Sequence, residues 1–196
     1  MATQGVYDLI VSEAITRLLE PGELGVDVGA NVGYMTAIMA GRAGPAGRVI
    51  SYEPHPRIHQ ILATNVERWK AVASIAIFRR AVSETTGHMD LHIPATFNGN
   101  YGVASLEDIG GEVEQVETQR LDDAFDSKTV IALLKIDVEG HELAVLEGAP
   151  NCFDPKESAT SSSKTTVDTP APFPGCLNRM AIRSFVSAAH SPSYCC

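Results

Sequence analysis

The chain has 196 residues, 44% of them apolar, which is enough for one domain with a buried core. A formal net charge of −9 with scattered lysines and arginines excludes a general binder of the phosphate backbone, so no nucleic-acid partner is expected. The apolar runs are too short to span a bilayer, and the Met-Ala-Thr-Gln-Gly start shows no basic-then-apolar leader. A cytoplasmic protein with no membrane partner is therefore expected.

In chain order, apolar residues at helical spacing predict a helix over Val6 to Glu20, stopped by Pro21-Gly22. Leu24 to Val28 reads as a short buried strand and Tyr34 to Arg42 as a helix ended by the Gly44-Pro-Ala-Gly47 turn. Arg48 to Glu53 is a second strand, and Pro56 to about Lys70 a helix with proline in its first turn and Trp69 packing on it. Ile75 to Val82 reads as a third strand. Two β-rich pieces, His88 to Ile93 and Glu112 to Gln119, flank the loop Asn98-Gly-Asn-Tyr-Gly102, where Tyr101 is a candidate lid residue. Val130 to Asp137 is another buried strand, followed by a helix over His141 to Leu146 with Gly148 as its stop. This alternation predicts a doubly wound, parallel α/β sheet.

The chemistry concentrates at strand ends. Asp27-Val-Gly-Ala-Asn-Val-Gly33 joins a strand to a helix start, the layout of a nucleotide cradle in which glycines admit the ligand and the free N–H groups of the helix start face it. The carboxylate of Asp27 suits a ligand with a cationic amino-acid end and repels a pyrophosphate, which favours S-adenosylmethionine over NAD. Glu53 ends the neighbouring strand, where a carboxylate accepts hydrogen bonds from both ribose hydroxyls and disfavours a 2′-phosphate. Asp137 ends the strand expected across the switch point, placed to act as general base toward a hydroxyl or to help hold a metal. Glu139 is either a further site acid or a first-turn helix charge, and His141 either a site residue or a surface histidine. Ala81 and Val82 offer backbone groups that frame an adenine or simply end a strand. Cys152, Cys176, Cys195 and Cys196 have no CxxC spacing and no histidine partners, so no metal site is expected.

From Leu9 to Ala149, the stretches DVGANVGYMTAIMA, SYEPHP and LLKIDVEGHELAVLEGA resemble the FkbM family of S-adenosylmethionine-dependent methyltransferases. The resemblance implies a class I methyltransferase fold, a Rossmann-like doubly wound sheet, and methyl transfer to a hydroxyl of a small molecule or glycan, such as a sugar or secondary metabolite. By position, Asp27, Gly29, Ala30, Asn31 and Gly33 match the family's cofactor loop. Glu53 matches its ribose-binding acid, and Asp137 its acid after the fourth strand.

After Pro150 the character changes, and the serine- and threonine-rich continuation does not resemble the family's last strands. Residues 1–150 are therefore expected to form an incomplete methyltransferase domain, with 151–196 a non-native or disordered tail. A natural disordered segment or a shifted reading frame would account for this change, and the second makes a sharper prediction. A serine codon beginning TC becomes, one frame over, a codon ending TC, which encodes Phe, Leu, Ile or Val. Ser161-Ser162-Ser163 would then hide three apolar residues of a strand. Without that strand, Ile131 to Ile136 is expected to be an unpaired apolar edge. The competing functions are a cofactor-binding remnant without turnover and an NAD-dependent oxidoreductase. The second is disfavoured by Asn31, which stands where a GxGxxG fingerprint needs glycine.

Overall fold

The computed structural model describes residues 8–93, 106, 111–126 and 128–153, and the backbone strand 179–182. Its first helix, α1 (Leu9–Leu18), starts at Asp8, whose side chain accepts a hydrogen bond from the Val11 N–H at 3.3 Å. The chain then alternates β1 (Leu24–Val28), α2 (Tyr34–Ala43), β2 (Arg48–Tyr52), α3 (Pro56–Glu67) and β3 (Ser74–Phe78). Proline at the first turn of α3 suits its fixed φ, and His55 Nδ1 accepts from the Arg57 N–H. After β4 (Ala81–Val82), β5 (Gly87–Ile93) and β6 (Glu112–Gln119) come α4 (Leu121–Ala124), β7 (Leu133–Ile136), α5 (Glu142–Glu147) and β8 (Arg179–Ile182).

Five strands form one parallel sheet in the order β3-β2-β1-β7-β8. The period of two along each strand sorts its residues between two layers. Leu24, Val26, Val28, Leu134 and Ile136 pack with Tyr52, Leu121 and Val145 on one face. Leu133 and Val49 pack with Ile15, Leu19 and Met39 of the α1/α2 layer on the other. By the same alternation Asp27, Ser51 and Lys135 point toward α2, although they are charged or polar. Among the described residues, no helix is long and apolar enough to cross a membrane.

Three expectations change. The single strand expected over Ile75 to Val82 is two strands, because the chain leaves the sheet at Arg79-Arg80. Arg80 turns to Glu117 (2.8 Å) and Gln119 (3.1 Å) of β6, so β4 pairs with β6 instead of extending β3. The pieces β5 and β6 pair antiparallel, and with β4 they make a second, three-stranded sheet (β4-β6-β5) rather than widening the first. The apolar strand expected to form an edge is also covered. β8 runs parallel beside β7 from Leu133↔Arg179 to Ile136↔Ile182, giving its backbone groups partners on both sides. The rest of the segment expected to be a tail, 154–178 and 183–196, lies outside the described residues, as does the loop containing Tyr101.

Candidate functional site

With β1 flanked by β2 and β7, the chain leaves β1 on one side of the sheet and returns to β7 on the other. The carboxyl ends of these strands therefore border the crevice of a topological switch point. The loop from Gly29 to Gly33 forms its rim. Gly29 has φ +74°, and a Cβ there would run into the carbonyl oxygen of Asp137 at the end of β7. Gly33 has φ +92° and caps α2, and a Cβ on it would lie 2.6 Å from Leu62 Cδ1, with Trp69 close behind. The two glycines thus let the loop lie against β7 on one side and α3 on the other.

The N–H groups of the loop itself, ahead of the start of α2, bond within the protein. Gly29 and Ala30 N–H donate to the Tyr52 carbonyl (3.1 and 2.9 Å), and Asn31 N–H donates to Glu53 Oε2 (2.8 Å). Val32 N–H donates to Asn31 Oδ1 (2.7 Å), and Gly33 N–H to the Ala30 carbonyl (2.9 Å). Five consecutive donors are engaged within the protein. The loop is a rigid rim, not a phosphate cradle.

Asp27 differs from its reading. It is fully buried, with Oδ2 accepting from Thr36 Oγ1 at 2.7 Å and Oδ1 lying 3.0 Å from Lys135 Nζ. Thr36 Oγ1 also meets Ser51 Oγ at 2.9 Å, so α2, β1, β2 and β7 share one polar cluster beneath the loop. Lys135 Nζ donates to the Gly29 carbonyl (2.7 Å) and lies 3.6 Å from Asp137 Oδ2. Burial alone would lower the lysine's proton affinity, but the Asp27 and Asp137 carboxylates outweigh it and the net shift is upward.

Glu53 sits at the end of β2, 6% exposed, with Oε2 on the Asn31 N–H and Oε1 on the His55 N–H (2.9 Å). Burial pushes its carboxyl up to about 7, against the opposing pull of those two N–H groups and of Lys135. Asp137, its side chain 26% exposed, follows the end of β7 and is the more open of the two acids beside Lys135. Glu139 follows it in the turn before α5, raised by partial burial and by the charges of Asp137 and Glu142. His141 caps α5, its Nε2 2.9 Å from Ser83 Oγ, and the Ser83 hydroxyl donates to Glu84 (2.6 Å). Ala81 and Val82 are both buried, and Val82 packs in the core with Tyr52 and Val145, so any ligand contact from β4 is made by backbone.

The structure thus gathers Asp27, Glu53, Asp137 and the Gly29 loop around Lys135, with Glu139 and His141 in the following turn. Sequence reasoning missed Lys135, Thr36 and Ser51. The lysine had a signal, since a charge inside the apolar run Val130 to Ile136 must find partners. Among the described residues, no group of three or more His, Cys, Asp or Glu is gathered to hold a metal ion.

Comparison with known proteins places this geometry. Residues 27–157 match the Methyltransferase FkbM domain family. The chain is 30% identical over 153 residues to methyltransferase sdnD of Sordaria araneosa, covering 63% of this chain and 59% of that protein. It is 29% identical over 155 residues to the hexuronic acid methyltransferase AglP of Haloferax volcanii, covering 76% and 60%. It is 30% identical over 169 residues to the 31-O-demethyl-FK506 methyltransferase FkbM of Streptomyces tacrolimicus, covering 70% and 64%. The chain spans about three-fifths of the length of these relatives.

Proposed function

The chain belongs to the FkbM methyltransferase domain family, whose cofactor is S-adenosylmethionine, and from that premise we propose that it methylates a hydroxyl oxygen of a sugar or secondary metabolite. Two relatives are named for a hexuronic acid and for 31-O-demethyl-FK506, which supports an acceptor of that class here. We assign the catalytic domain to residues 1–150, with β8 (Arg179–Ile182) completing its sheet beside β7.

The observation that carries the reading is the charge of the crevice. Asp27 is matched by Lys135, while Asp137, Glu139 and, above about pH 7, Glu53 add negative charge, so the strand ends favour a ligand with net positive charge. The residues fit the cofactor in a specific sense. The carboxylate of Glu53, held by two N–H groups and nearly buried, keeps lone pairs for the ribose hydroxyls of that cofactor. Gly29, Ala30, Asn31 and Gly33 would line it, and the backbone of Ala81 and Val82 would frame its base.

When bound, S-adenosylmethionine supplies an activated methyl group on a sulfonium. The protein's own work is then to align an acceptor oxygen and to take one proton. Asp137, the more exposed acid at the end of β7, is the group we assign to that proton, with Glu139 and His141 shaping the acceptor side. The test is calorimetric titration with S-adenosylmethionine, its demethylated product and NAD, followed by turnover with hydroxyl acceptors. Binding of the first two but not of NAD supports the reading. Binding without turnover on any hydroxyl acceptor would leave a cofactor-binding remnant, and an NAD isotherm would reverse the assignment.

A further inference from the structure

We infer that Lys135 is a positioning residue of this site: it fixes the rim of the crevice through the Gly29 carbonyl and takes up the charge of Asp27, so that Asp137 is the carboxylate presented to the ligand. The inference rests on the methyltransferase reading above and goes beyond it by giving Asp27 to the interior and Asp137 to the ligand.

An ammonium has three protons and no acceptor capacity, so it is satisfied by three oxygens arranged around it. Here the Gly29 carbonyl lies at 2.7 Å, Asp27 Oδ1 at 3.0 Å and Asp137 Oδ2 at 3.6 Å, with the Val28 carbonyl at 3.5 Å. Two of these partners belong to β1 and one to the loop, whereas the lysine belongs to β7. The contact therefore ties together the two strands that border the switch point. Exposure rises along this line of charge, from 0% at the Asp27 side chain through 4% at Lys135 to 26% at Asp137. Asp27 has its second oxygen on Thr36, so its ability to meet a ligand is largely used inside the protein. Asp137 keeps only a long contact to the lysine. A buried ion pair with a purely structural role is a weak stabiliser, often replaceable by apolar side chains of similar size. One that ends at the mouth of a crevice also sets the ionisation of the acid there.

The groups facing Lys135 are Asp27 from β1, Glu53 from the end of β2, Asp137 from the end of its own strand and, uncharged, Thr36 from α2. Removing the lysine charge leaves carboxylates close together, so protons bind more tightly and the pH below which cofactor binding fails moves upward. The experiment is calorimetric titration of S-adenosylmethionine from pH 6 to 9 on the full chain, wild type against Lys135→Met. The expected result is at least tenfold weaker binding at pH 7, an acid limb raised by about one pH unit, and recovery toward wild type at pH 9. Equal affinity and equal acid limbs overturn the inference, and so does an equal loss at every pH, which is the mark of a merely structural residue.

If Lys135→Met does not fold, the double variant Asp27→Asn/Lys135→Met removes both buried charges together. A raised acid limb in it supports the inference and a wild-type profile overturns it. If neither variant folds, the ammonium resonance of Lys135 in 15N-lysine-labelled wild type decides, with a cofactor-induced shift in support and an unmoved resonance against. Absence of binding by wild type at every pH is a separate result that defeats the methyltransferase reading itself.

Discussion

The amide of Asn31 donates to Glu53 Oε2 at 2.8 Å, linking the glycine rim to the acid at the end of the next strand. One contact thus couples the shape of the crevice to the ionisation of its most perturbed carboxyl. The rim and the acid act as a unit, and changes to either are expected to register in the other.

Glu53 makes the coupling measurable through pH. Its carboxyl is raised from 4.5 to about 7 in the folded protein, so the folded state holds that proton more tightly than the unfolded one. Stability from this group is fully present below about pH 4.5 and is lost as pH rises through about 7, a total on the order of 3 kcal/mol. Chemical denaturation of wild type and Glu53→Gln from pH 5 to 8 is expected to show wild type losing stability relative to the variant across that window. Parallel curves would mean the acid is not perturbed. Ribose hydroxyls donating to the carboxylate favour its ionised form, so cofactor binding near pH 7 is also expected to release protons.

Gly29→Ala is expected to be costly twice over. The φ of +74° is unfavourable for alanine, and its Cβ would meet the Asp137 carbonyl. Backbone strain alone is worth roughly 1–3 kcal/mol, and relief of the clash would push the rim away from β7. Thermal unfolding and cofactor titration should both report the change, with affinity falling more than stability alone accounts for.

Thr36→Val keeps the size of a buried side chain while removing the hydroxyl between Asp27 Oδ2 and Ser51 Oγ. Leaving a buried carboxylate oxygen without that donor is expected to cost about 1–3 kcal/mol. Thr36→Ser should recover most of it, and denaturant midpoints for the three proteins check the order.

Asp137→Asn tests the proton-accepting role. The expected outcome, measured at saturating cofactor, is a fall in kcat of about 100-fold or more. A variant with wild-type kcat would move the role to another residue in the turn.

Much of the frame was legible because β1 and β6 are bounded by turn residues and fill or alternate as strands should. Leu24 to Val28 and Glu112 to Gln119 therefore appear with the bounds the sequence suggested. The break at Arg79-Arg80 was not legible, since two short strands in different sheets carry the same β-rich pattern as one long strand. What separates them is the pairing of β4 with β6, a partner fixed only by tertiary structure. The use of Asp27 inside the protein was hidden for the same reason. Its cation, Lys135, is distant in sequence and brought beside it by the pairing of β1 with β7. Sequence located the acids at the strand ends, but their division between interior and crevice needed the fold.

The abrupt change after Pro150 also has a direct check in the coding DNA. The shifted-frame account expects codons of the TC type at Ser161, Ser162 and Ser163, and AG-type codons there would contradict it.

The central claim is that the crevice between β1, β2 and β7 holds S-adenosylmethionine through Glu53. Calorimetric titration of the full chain at pH 8, wild type against Glu53→Ala, tests it most directly. Wild type is expected to bind S-adenosylmethionine saturably, the variant at least tenfold more weakly, and neither to give heat with NAD. An isotherm unchanged by the substitution, or one with NAD in place of S-adenosylmethionine, would contradict it.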